Sequence, residues 1–162
     1  MSVLNYFILI ILPYLALGFF LAGTIYRYQA SGYTVSSLSS EFLEGNTLFW
    51  GSQPFHWGLL FLFFGHLIAF LIPKSVLAWN SHPLRLLVLE ISAFAFGLAV
   101  LFGLGALIYR RLSNARIRTV TSAMDYVLLV ILLLQVVTGL YIAYAYRWGS
   151  YWFVSVLKPY LW

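Results

Sequence analysis

Four long apolar runs, with most of the charged residues outside them, set the pattern of the chain: Leu4 to Tyr26, Phe49 to Ile72, Leu84 to Tyr109 and Tyr126 to Tyr146. As helices rising about 1.5 Å per residue, each reaches or exceeds the roughly 30 Å hydrocarbon core of a bilayer. The pattern predicts an all-α transmembrane helical bundle, four spans in one domain covering residues 1–162. The connection Arg27 to Leu48, rich in Ser and Gly and carrying Glu41 and Glu44, belongs in water or at the interface. Pro73 to Pro83, with Lys74, Trp79 and His82, reads as a short outer loop. Trp148, Tyr151, Trp152, Phe153, Tyr160 and Trp162 suit the headgroup level of the outer surface.

Composition narrows the possibilities. The chain is 63% hydrophobic and 8% charged, far too apolar for a soluble domain of 162 residues. A formal charge of +5 does not point to nucleic acid, because the basic residues stand at the ends of apolar spans instead of along one soluble face. The absence of cysteine removes disulfides, iron–sulfur ligation and thioether haem attachment, so any haem is a non-covalent b type. The first span has no basic start and no small-residue cleavage site, which predicts a retained anchor. Arg110, Arg111, Arg116 and Arg118 form the densest basic cluster and orient that loop to the cytoplasm. Counting spans then puts the amino terminus outside the cytoplasmic (inner) membrane.

The second run contains His56 and His66. Ten residues correspond to about 15 Å of rise and leave the rings roughly 80° apart around the axis, so they cannot share one metal. Each membrane half receives one imidazole, and a neutral imidazole is a good axial ligand for haem iron. Hydrogen-bonded packing histidines are the alternative. Gly51, Gly58 and Gly65 recur every seven residues on the side away from His56, a stripe suited to a close helix neighbour, with Gly65 able to serve a porphyrin as well. His82, in the outer loop, and Met124 are the other conceivable axial ligands.

The segments PYLALGFFLAGTIYRYQASGYT, SQPFHWGLLFLFFGHLIAFL, YRRLSNARIRTVTSAMD and LLLQVVTGL together resemble the gamma subunit of membrane-bound respiratory nitrate reductase, a cytochrome b. The resemblance implies five spans, the second and fifth each supplying two histidines to two stacked b-type haems, so that this chain is an amino-terminal portion lacking the fifth span. It assigns His66 to the outer haem and His56 to the inner one, in agreement with the arginine-based orientation. It places Tyr28, Ser39 and Arg111 near propionates of the inner haem, where an arginine suits a carboxylate. It puts the quinol site by the outer haem around Gly65 and His66, with Arg85 standing close to where the family has a lysine.

Glu90, about nine Å into the third span, is the local oddity. An ion pair with Arg85 or an interfacial position explains it structurally; the alternative role is proton acceptor for quinol. The resemblance further implies electrons delivered to an iron–sulfur beta subunit and a molybdenum-containing alpha subunit at the cytoplasmic face, where nitrate is reduced. A cytochrome b of another quinone-linked oxidoreductase, or a haem-free membrane anchor or transporter, are the competing expectations.

Overall fold

The computed structural model describes residues 4, 7, 11–31, 43 and 45–146, and every regular element among them is helical. The chain divides into two compact units, Met1–Ser39 and Ser40–Trp162. In the first, α1 spans Leu12–Ser31. The helix therefore runs through Arg27 and four residues beyond it, so the connection expected from Arg27 starts later: Tyr26, Arg27, Tyr28 and Gln29 are compatible with helix, and no Pro or Gly interrupts them.

The second unit contains α2 (Asn46–Leu71), α3 (Pro73–Asn80), α4 (Pro83–Ser113), α5 (Ala115–Thr119) and α6 (Ala123–Tyr146). Pro54 lies inside α2, and the helix continues past it. The segment expected as a short outer loop is instead mostly α3. Pro73 occupies the first turn of α3, where a missing N–H costs nothing, while Ile72 leaves the helical region at φ −131°, ψ 58°. A proline therefore ends one helix and opens the next, with a bend of 108° between Asn46–Ala69 and Lys74–Asn80. His82, extended at φ −94°, ψ 121°, precedes Pro83 in the same way at the start of α4.

Among the described residues, α4 and α6 are each long and apolar enough to cross a membrane, and the bent pair α2–α3 makes a third candidate taken as one span. The sequence-based count of four spans is thus matched by two helices outright and by up to three. Large apolar side chains stay exposed along all the long helices, and none of α6 is buried. Among the described residues the fully buried side chains are Val100, Leu104 and Ile117, on α4 and α5. A surface this apolar is stable only in contact with lipid or further protein.

Helices α2 and α4 pack antiparallel along a glycine seam. A methyl carbon on Gly51 would stand 3.2 Å from the Gly103 carbonyl oxygen, and one on Gly58 would stand 2.9 Å from that of Phe96. Farther along, Phe61 stacks on Phe96 with ring centres 4.4 Å apart and planes 14° from parallel. A methyl carbon on Gly65, the third glycine of the stripe, would meet nothing within 4 Å. Two glycines of the stripe thus serve helix contact, as small residues do in bilayers where packing replaces the hydrophobic drive. Helix α6 runs antiparallel to α4, with Leu140 against Gly97 and Asp125 beside Arg111.

The arginine end is tied by side chains. Asn114 caps α5, its Oδ1 accepting from the Arg116 N–H at 3.0 Å. Ser122 and Asp125 cap α6 reciprocally: the Ser122 N–H donates to Asp125 Oδ2 at 2.9 Å, and the Asp125 N–H to Ser122 Oγ at 3.3 Å. An Arg111 guanidinium nitrogen donates to Thr121 Oγ1 at 3.2 Å and lies 3.5 Å from Asp125 Oδ2. Arg110 is buried, whereas Arg116 and Arg118 are exposed.

Candidate functional site

His56 and His66 each bond back to the turn preceding them. His56 Nδ1 donates to the Ser52 carbonyl oxygen at 2.8 Å and has Ser52 Oγ at 3.0 Å. His66 Nδ1 donates to the Leu62 carbonyl oxygen at 2.7 Å. A carbonyl oxygen only accepts, so in the neutral ring the proton sits on Nδ1 and the lone pair on Nε2. This is the arrangement in which an imidazole ligates a metal through Nε2 while a second-shell acceptor fixes its tautomer. Both rings are exposed at the helix surface.

The antiparallel pairing sorts the two histidines along the bundle. Gly51 meets Gly103 and Leu107, close to the arginine end of α4, so His56 lies on that half. His66 lies on the opposite half, in a groove of about 140 Å³ between α2 and α4 lined by Phe61, Gly65, Leu89, Ser92 and Phe96. Gly65 and His66, adjacent in sequence, both line it.

Glu90 and Arg85 are placed elsewhere. Glu90 lines a different and larger groove of about 580 Å³ between α4 and α6, with Leu87, Phe94, Leu98 and Tyr144. Leu89, Ser92 and Phe96 present one face of α4 to the histidine groove, while Leu87, Glu90, Phe94 and Leu98 present another to α6. The Arg85 guanidinium lies 5.1 Å from the centre of the Trp79 ring, a cation–π contact joining α4 to α3. Trp79 and Ser52 are the neighbours that sequence reasoning did not single out for these sites. Their spacing, i and i+4 for Ser52 and His56, was the available signal.

Of the residues expected near the inner haem's propionates, Tyr28 is exposed on α1, Ser39 lies outside the described residues, and Arg111 holds Thr121 and Asp125 at the α4–α6 end. Among the described residues no three His, Cys, Asp or Glu side chains converge as a metal-ion site. Haem makes no such demand, since the porphyrin supplies four nitrogens and each iron face needs one axial ligand. Two Nδ1-anchored imidazoles on an exposed apolar helix, one beside the open space at Gly65, fit that requirement.

An all-helical membrane-spanning protein, with an imidazole on each half of one long helix, is the class these features define. The chain belongs to the nitrate reductase gamma subunit family, which it matches over residues 5–162. It is 39% identical over 132 residues to the nitrate reductase gamma chain of Bacillus subtilis, covering 80% of this chain and 59% of that one. It is 34% identical over 138 residues to the respiratory nitrate reductase 2 gamma chain of Escherichia coli, covering 85% and 61%. A nitrate reductase-like protein NarX of Mycobacterium tuberculosis is 30% identical over 167 residues, covering 92% of this chain and 25% of that protein. The chain thus spans about three-fifths of the two gamma chains.

Proposed function

We propose that the chain is the quinol-oxidising, di-haem b electron-transfer subunit of a respiratory nitrate reductase. It spans the cytoplasmic membrane four times, with the amino terminus outside and the arginine end at the cytoplasm. The observation that carries this reading is the matched state of the two α2 histidines, each Nδ1 bonded to a backbone carbonyl one turn back. His66 holds the outer haem and His56 the inner one. When bound, the two haems supply one-electron transfer between the membrane faces.

The chain's own residues do the rest. Gly65 leaves room beside His66 for a flat group, and Arg85, fixed on Trp79, keeps a permanent positive charge at the start of α4. Glu90 takes up a proton from quinol at the α4–α6 groove, and the proton leaves outside. Arg111, at the α4–α6 end, would offer a propionate of the inner haem a charge-assisted hydrogen bond. The iron–sulfur and molybdenum-containing subunits dock at the arginine end, and nitrate is reduced there, outside this chain.

Redox titration of the purified complex tests the proposal. His66→Ala is expected to remove one b-type component and His56→Ala the other, each abolishing most quinol-driven nitrate reduction. Nitrate reduction with an artificial donor acting directly on the soluble subunits should persist. A complex with no b-type absorbance, or two variants that each keep both components, overturns the reading.

A further inference from the structure

The hydroxyl of Ser52 is engaged differently from those of Ser92, Ser113 and Thr138 among the described residues. Ser92, Ser113 and Thr138 each donate back to a carbonyl three or four residues earlier, at 3.0, 2.7 and 2.7 Å. That is the usual way a helix satisfies a serine or threonine side chain. Ser52 Oγ instead reaches forward to Nδ1 of His56 at 3.0 Å, while the carbonyl of the same residue meets that nitrogen at 2.8 Å.

The carbonyl contact decides the direction. It requires the proton on Nδ1, so the hydroxyl oxygen is a second acceptor for the same N–H, and the imidazole is held by both oxygens of one residue. We infer that Ser52 is a positioning residue for the His56 haem ligand, its hydroxyl adding a second acceptor that locks the ring's tautomer and orientation and increases electron donation from Nε2. A more basic axial nitrogen favours the oxidised iron, and second-shell hydrogen bonding is one of the levers by which a protein sets haem potential. The inference rests on the haem assignment made above and adds to it the residue that tunes one haem independently of the other.

The test is an optical redox titration of the whole complex, with electron paramagnetic resonance of the oxidised haems, in Ser52→Ala and Ser52→Thr. The component to follow is the one missing in His56→Ala. In Ser52→Ala its midpoint potential should rise, with a shift in its low-spin ferric signal, while the second haem stays where it was. Ser52→Thr, which keeps a hydroxyl at the same carbon, should restore the original potential. Retention of both haems in Ser52→Ala with neither potential moved overturns the inference. So does loss of the His56-linked haem in both variants, since a hydroxyl that is present should then have preserved it. A wild-type complex without b haems would instead sink the parent assignment, so the two failures are distinguishable.

Discussion

Replacing Gly103 by alanine tests the packing on which the histidines depend. The added methyl would stand 2.5 Å from the Gly51 carbonyl oxygen, 2.6 Å from the Phe55 nitrogen and 2.8 Å from the Phe55 Cβ, where ordinary contact begins at 3.4 Å. All three obstacles are backbone or fixed to it, so no side-chain rotation relieves them. The helix axes must part by most of an ångström. Overpacking of this kind costs about 1–3 kcal/mol, and opening the Phe61–Phe96 stack forfeits about 0.5–1.5 kcal/mol more. Alanine returns about 0.5–1 kcal/mol through its higher helix propensity. The net loss falls between about 0.5 and 4 kcal/mol, on the order of 2 kcal/mol at the centre, roughly a thirtyfold shift toward the unfolded state. Gly105 supplies the control, because a methyl there meets nothing within 4 Å. Denaturation midpoints in mixed micelles, followed by tryptophan fluorescence, should fall for Gly103→Ala and hold or rise for Gly105→Ala. Equal midpoints for the two variants would refute the close crossing.

Glu90→Gln is expected to leave both b-type spectra intact and lower quinol-driven turnover; turnover equal to wild type would remove Glu90 from the proton path. Ser122→Ala deletes one side of the α6 capping box and should lower stability by about 1 kcal/mol, measured by the same unfolding assay. Arg111→Ala should cost no more than about 1 kcal/mol through its half-exposed ion pair with Asp125, so a much larger loss would show that the guanidinium holds more than Thr121 and Asp125.

The helices were legible wherever apolar length alone decides. Phe49 to Ile72, Leu84 to Tyr109 and Tyr126 to Tyr146 differ from α2, α4 and α6 by a few residues at their ends. Those ends carry residues that periodicity cannot rank: Arg110 and Arg111 continue α4 as readily as they would leave it, and Ser122 is recognisable as a cap only in its pairing with Asp125. Pro73 misled because the same residue stops one helix and starts another, so α3 read as loop. His56 and His66 stood out because titratable side chains are rare in such a run. Their hydrogen-bond partners could be guessed from i−4 spacing but not their tautomers. Glu90 and His66 looked like parts of one site, being placed toward the same end of the bundle. Rotation around α4 separates them into two grooves, a distinction that depth along a helix cannot reveal.

The seam of bare Cα atoms between α2 and α4 acts as a keyway. Turning α2 by one residue would swing a side chain into the space that Gly51 and Gly58 leave for their neighbour, so the rod cannot spin about its own length. The compass bearing of both imidazoles around the α2 axis, His56 opposite the seam and His66 beside it, is thereby set by glycine hydrogens facing α4, independently of anything the rings bind.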